Sequence, residues 1–188
     1  VIAAALPSTS VWYWYFGRAT GLVSLVLLTA LLVLGMLGPL RVSSDQWPRF
    51  AIRTVHRDVS LVALLVIAIH AVVMVLDGYV YIPISAVVLP FGSAYRPVWT
   101  ALGAVAFDLM IAIVVTSVLR QRLGYRTWRS IHWFSYACWP IAVAHGLGGG
   151  HDSGSAWALG LTIVCIVIVA SVTGMRIRFG SAARTLEA

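Results

Sequence analysis

Four stretches of this 188-residue chain contain no Asp, Glu, Lys or Arg: Ala19 to Leu40, Val59 to Leu76, Ser130 to His151 and Ser153 to Met175. A fifth, Pro97 to Leu119, is interrupted only by Asp108. A helix of about 20 apolar residues crosses the roughly 30 Å hydrocarbon core of a bilayer, and in lipid the backbone must satisfy its own polar groups. The expected fold is therefore an all-α integral membrane protein, a five-helix transmembrane bundle forming one domain over residues 1–188, with helices at roughly 17–39, 48–77, 97–120, 127–147 and 155–177. Composition agrees: 61% of residues are hydrophobic, 10% are charged, and the mean hydropathy is +0.94, which excludes an ordinary soluble domain. The first apolar run is too long for a signal peptide and no small-residue cleavage site follows it.

All 13 basic residues are arginines. Arg41, Arg49, Arg53 and Arg57 lie between the first two spans or at the start of the second, Arg120, Arg122, Arg126 and Arg129 between the third and fourth, and Arg176, Arg178 and Arg184 at or after the end of the fifth. Only Arg18 and Arg96 fall on the opposite side. The positive-inside rule then puts the N-terminus outside and the C-terminus in the cytoplasm of a plasma or inner membrane. The net charge of +7 reads as topology and contact with anionic lipid, and nucleic acid is excluded as a partner.

Between the spans, Val11 to Arg18 reads VWYWYFGR, an aromatic interface belt preceding the first helix. Gly21, Gly35 and Gly38 would admit a neighbouring helix or a flat macrocycle, although glycine is common in membrane helices on any account. Ser44 or Asp45 can cap the second helix, Pro48 suits its first turn and Gly78 stops it. Asp77 to Pro97 has three prolines and no helical period, and is expected to lie as a lid over the outer end of the bundle. Thr127 can cap the fourth helix, and Pro140, unable to bond to the Tyr136 carbonyl, predicts a kink there. The fifth helix reads as packing. Cys138 and Cys165 lie in apolar stretches without a CxxC or CxxCH pattern, which argues against covalent c-type heme and iron–sulfur clusters.

Histidines give the apolar segments their chemistry. His56 and His70 are 14 positions apart, His132 and His145 are 13 apart, and each pair spans roughly 20 Å of helix. Neutral imidazole is a common axial ligand of heme iron, so two such helices can hold two bis-histidine hemes, one above the other. Both helices run from cytoplasm to outside on the arginine topology, which pairs His56 with His132 for an inner heme and His70 with His145 for an outer one. Fourteen residues leave two side chains about 40° apart on an ideal helix, whereas 13 leave them about 140° apart. A kink at Pro140, helix crossing or differing ring orientations are the ways to absorb that difference. His151 reads as a surface loop residue. Asp108 is a costly carboxylate, either protonated, hydrogen-bonded to a Ser, Thr or Trp group, or part of a proton path. For the anionic heme propionates, Arg53, Arg57, Arg126 and Arg129 flank the inner ligands, and Arg96 is the stronger candidate on the outer side.

Together WYFGRATGLVSLVLLT, TVHRDVSLVALLVIAIHA, VLPFGSAYRPVW and the run from ALGAVAFDLM to SIHWFSYACWPIAVAHGLGGG resemble the transmembrane domain of the ferric reductase and NADPH oxidase superfamily, especially its short bacterial members. The resemblance implies that His56, His70, His132 and His145 ligate two heme b groups and that electrons cross the bilayer between them. Larger members have six spans and a cytosolic flavin- and nicotinamide-binding domain. This sequence offers five spans and no GxGxxG loop after the last, so the expected donor is a separate flavoprotein, a quinol or a flavin-binding partner. The expected function is a di-heme b-type cytochrome moving electrons from a cytoplasmic-side donor to an extracytoplasmic acceptor, as the electron-transfer subunit of an oxidoreductase. The alternative is a non-redox membrane protein, a heme or metal transporter or an anchor subunit. A transporter would more typically show broken helices and charged midplane groups.

Overall fold

The computed structural model describes residues 9–37, 49–77, 80–150 and 155–185, and among these every regular element is helical. They are α1 (Thr9–Leu37), α2 (Arg49–Leu76), a single 3₁₀ turn (Ile84–Val87), α3 (Pro97–Val118), α4 (Arg120–Leu123), α5 (Tyr125–His132), α6 (Ser135–Gly149) and α7 (Ala156–Thr185). Four of these, α1, α2, α3 and α7, are long and apolar enough to cross a membrane, and the chain is a multi-pass membrane protein. Exposed Leu61, Leu65 and Val72 on α2, and Ile163 and Val167 on α7, are the faces such helices present to lipid.

The expected fourth span is two helices rather than one. α5 has 8 residues and α6 has 15, and neither crosses a bilayer alone. Between them the hydrogen bonding tightens: the Phe134 N–H donates to the Ile131 carbonyl (3.0 Å), Tyr136 to Trp133 (3.1 Å) and Ala137 to Phe134 (3.0 Å). Such bonds turn the chain about 120° per residue instead of about 100°. The extra rotation reduces the phase difference between His132 and His145. Pro140 lies inside α6, so the interruption falls at Trp133–Phe134, one to two turns ahead of the proline expected to cause it.

Other boundaries also move. α1 starts at Thr9, which makes the aromatic belt its first turns, with Trp12, Tyr15 and Phe16 exposed around them. α5 begins at Tyr125 after Gly124, whose φ of 78° suits glycine, so Thr127 lies inside the helix and does not cap it. α3 stops at Val118 and the chain continues through α4, while α7 runs on to Thr185. The expected cap at Ser44 or Asp45, Pro48, Gly38, Gly78 and His151 lie outside the described residues.

The most extensive pairings are α1 with α2 and α3 with α6, and α1 also packs against α6 and α7. At mid-depth Leu31, Ala63, Ala106, Met110, Ile113 and Cys138 form one buried cluster drawn from α1, α2, α3 and α6. Trp139 ties α6 to α1: its indole N–H donates to Thr29 Oγ1 at 2.9 Å, and that hydroxyl donates to the Leu25 carbonyl at 2.8 Å. Ser24, Ser117 and Thr162 likewise donate one turn back along their own helices, as hydroxyls without water must.

Candidate functional site

α2 and the α5–α6 limb make almost no close backbone contact, yet their histidines face one another. His56 and His132 have ring centres 6.3 Å apart with planes at 65°, and His70 and His145 have ring centres 6.3 Å apart at 78°. All four side chains are half-buried. A metal held between two imidazole nitrogens at about 2.0–2.1 Å each, as in protein zinc sites, with each ring centre about 1.1 Å behind its nitrogen, separates the centres by roughly 6.2–6.4 Å. The observed spacing suits one metal ion per pair. Among the described residues no group of three or more His, Cys, Asp or Glu side chains is placed to hold a metal. A pair without further protein ligands suits a metal whose other positions are filled by a macrocycle.

The outer pair is held by backbone. His70 Nδ1 lies 2.7 Å from the Gly17 carbonyl of α1, and His145 Nδ1 lies 2.8 Å from the Trp99 carbonyl of α3. A carbonyl oxygen only accepts, so Nδ1 carries the proton in both rings and Nε2 keeps its lone pair. One turn along each helix stands a glycine against the same ring. A Cβ at Gly21 would stand 3.0 Å from His70 Cε1, and one at Gly103 would stand 2.6 Å from His145 Cε1. The His145 imidazole lies closer to α3 than a side chain at position 103 permits, and the His70 imidazole sits tightly against Gly21.

Inside this level is a cavity of about 270 Å³, lined by His70 and His145 together with Phe107, Met110, Cys138 and Arg18 among others. Its walls come from α1, α2, α3, α6 and α7, and from the 80–96 segment through Val80, Ile82 and Ala86. That segment covers the end of the bundle that holds His70 and His145, with Ala86 buried and Tyr81, Ile84 and Phe91 exposed.

The inner pair is held differently. Among the described residues Nδ1 of His132 is buried without a hydrogen-bond partner, and Nδ1 of His56 is buried with the Leu31 carbonyl as its nearest backbone acceptor, outside ordinary hydrogen-bond geometry. Trp128 stacks on His132 at 5.0 Å and 29°, donates its indole N–H to Ser117 Oγ at 3.1 Å, and has the Arg120 guanidinium 5.4 Å over its ring.

The arginines separate by what they touch. Arg96, with φ of 41°, donates to the Gly148 carbonyl at 2.6 Å and the Gly150 carbonyl at 3.3 Å, capping α6, and it is not among the cavity residues. Arg18 is, with its guanidinium 5.0 Å over the Trp14 ring. Arg18 and Arg96 are the two arginines on this side of the sequence, Arg96 being the one favoured there, and it is Arg18, one turn before Gly21, that lines the cavity. Arg53 and Arg129 are exposed near the inner level, and Arg129 donates to the Tyr125 hydroxyl at 3.3 Å. Arg57 pairs with Asp58 at 2.9 Å, both largely exposed, an ion pair of little energetic weight. Asp108 is half-buried on α3 and has no hydrogen-bond or ion-pair partner among the described residues, so of the three alternatives for it the bond to a Ser, Thr or Trp group is not found there. The buried cysteines are unpaired thiols, and Cys138 Sγ lies 3.4 Å from the Ala106 carbonyl.

Residues 20–143 match the family model described as the ferric reductase like transmembrane component. The chain belongs to that family. The ferric reductase-like match takes in His56, His70 and His132 and ends two positions before His145, whose ring nevertheless completes the outer pair. No curated protein and no solved structure matched the chain. Membership in a ferric reductase-like family gives the chain a membrane electron-transfer role at the level of the family.

Proposed function

We propose that this chain is a di-heme b-type cytochrome that moves electrons across the plasma or inner membrane, from a flavin or quinol donor on the cytoplasmic side to an acceptor outside, within a reductase system. The observation that carries the proposal is the pair of facing imidazoles at each of two depths, on helices otherwise held apart. His56 with His132 would hold the inner heme b, and His70 with His145 the outer. Each heme, when bound, supplies a one-electron ferric/ferrous couple.

The chain's own residues do the rest. A heme held by His56 with His132, or by His70 with His145, would have no open coordination position, so it would supply one-electron transfer without binding the acceptor at its iron. The apolar layer of Leu31, Ala63, Ala106 and Met110 keeps water and charge out from between the two levels. Arg18, facing the cavity, is placed to meet an anionic carboxylate there, while Arg96 sets the end of the ligand helix α6. Arg53 and Arg129 stand at the inner level for the same purpose. The fifth crossing is made by α5 and α6 together, with the N-terminus outside and the C-terminus in the cytoplasm.

Purified protein should show a reduced low-spin b-type spectrum with about two hemes per chain, as two bis-histidine sites require. His70→Ala and His145→Ala should each lose one heme. Full heme retention in both variants would sink the ligand assignment, and a heme-free wild-type protein would favour the transporter or anchor reading.

A further inference from the structure

Asp108 is the twelfth of the 22 residues of α3, a helix long and apolar enough to cross the membrane, so its carboxyl lies near the middle of the bilayer. It points away from the packed interior. On an ideal helix Ala106, Met110 and Ile113, which enter the buried mid-depth cluster, fall within about 40° of the direction opposite Asp108. Ala112 and Val115 fall within about 40° of Asp108 itself, and both are exposed, Val115 to 47%. Phe107 and Met110 line the cavity, whereas Asp108, Ala112 and Val115 do not.

The helix cannot satisfy this group from its own resources. An ionised carboxylate only accepts hydrogen bonds, and inside a helix the backbone N–H groups are already engaged. A hydroxyl has a way out: Thr116 Oγ1 donates to the Ala112 carbonyl at 2.7 Å. The nearest arginines in sequence on either side, Arg96 and Arg120, are each 12 positions away, about 18 Å of helix. Among the described residues no arginine makes an ion pair with Asp108. Carboxylates in membrane helices ordinarily pair or face a water-filled cavity, because hydrocarbon does not solvate them.

We propose that the Asp108 face of α3 docks a membrane helix of a different polypeptide, one that carries a cationic side chain at mid-depth. The face sets the chemistry of its partner. Asp108 requires a donor, charge complementarity makes that donor a cation, and the small side chain of Ala112 lets the two backbones approach closely. A second copy of this chain does not supply the match. Copies inserted the same way up would bring Asp108 against Asp108 at this depth, setting like charges together where an opposite one is needed. The inference stands apart from the di-heme reading, since neither histidine nor heme enters it.

The test is photocrosslinking of the chain in the membranes of the cells that make it. The probe p-benzoylphenylalanine replaces Val115 or, separately, Ile111 on the flank of the same face, with Leu65, 61% exposed on α2, as the control position. Light should join the α3 probes, and not the α2 probe, to a second polypeptide. Mass spectrometry of the joined peptide should place the link in an apolar span with Lys, Arg or His within one turn of it. Asp108→Leu, which removes the charge and suits lipid, should abolish the product, and Asp108→Glu should keep it. Charge exchange separates pairing from folding: Asp108→Arg should lose the product, and changing the partner's cation to Asp should restore it. The proposal is overturned by labelling of lipid alone, by a link within this chain or to a second copy of it, or by a partner span without a cation. A product that survives Asp108→Leu, or that does not return on charge exchange, overturns it as well.

Discussion

A methyl group added at Gly103 would stand 2.6 Å from His145 Cε1, one at Gly21 3.0 Å from His70 Cε1, and one at Gly35 3.7 Å from His56 Cε1. Because overpacking a tight site typically costs about 1–3 kcal/mol and displaces the side chain it meets, the three alanine variants should form a graded series. Gly103→Ala should lose most of one heme per chain, Gly21→Ala part of one, and Gly35→Ala none. A pyridine hemochrome assay on the purified variants measures this, and equal loss in all three would contradict the seats described. Arg96→Gln tests a different contact. Hydrogen bonds to a charged donor contribute about 1.5–3 kcal/mol, so removing the guanidinium from the Gly148 and Gly150 carbonyls should lower the thermal midpoint while leaving both hemes in place. At this scale the histidines were legible because four of them at matched depths in apolar segments have few other uses. Gly21 and Gly35 carry the same 14-residue spacing as His56 and His70, but glycine is so frequent in membrane helices that the match does not stand out. Gly103 carried no signal, since its need arises from a backbone carbonyl on α3 whose direction the sequence does not encode.

Among the elements, α1, α2, α3 and α7 were legible from apolar length alone, because lipid leaves a long uncharged segment little choice but a helix. The α5–α6 interruption was not, for Trp133 and Phe134 are neither glycine nor proline and nothing in their chemistry demands a break. Pro140 drew the expectation to itself, and α6 runs through it. The objection that 13 residues leave His132 and His145 out of phase was sound for a single straight helix, and the tightened turn between α5 and α6 is where the structure departs from one. An alanine inserted between Phe134 and Ser135 should rotate His145 by about 100° relative to His132 and shift it along the bundle by about 1.5 Å. The expected result is loss of one heme with retained membrane insertion, read as heme content per chain. Two hemes in the insertion variant would mean that α6 turns independently of α5 and that the interruption does not set the phase.

For the whole molecule, the arginine distribution makes a statement about orientation that the bundle itself does not, since a helical bundle packs equally well either way up in a symmetric slab. Arg120 and Arg122 on α4 and Arg176 and Arg178 on α7 are on one side of the bundle by sequence, and the 80–96 segment covering the cavity is on the other. The orientation proposed from the positive-inside rule has the first group in the cytoplasm and the cavity with its cover outside. Both native cysteines, Cys138 and Cys165, are buried, so single cysteines introduced at the surface can report with little background. Tyr81 is 84% exposed on the cover, and Arg122 is exposed on α4. In intact cells a membrane-impermeant maleimide should label Tyr81→Cys, whereas Arg122→Cys should react only after the membrane is opened. If Arg122→Cys labels first, the histidine pairs keep their partners but exchange sides. The cavity would then face the cytoplasm, and the level with stacked Trp128 and the unsatisfied imidazole nitrogens would serve the outer acceptor. Orientation therefore decides which of two differently built sites meets the donor, and the labelling pattern decides orientation without reference to heme.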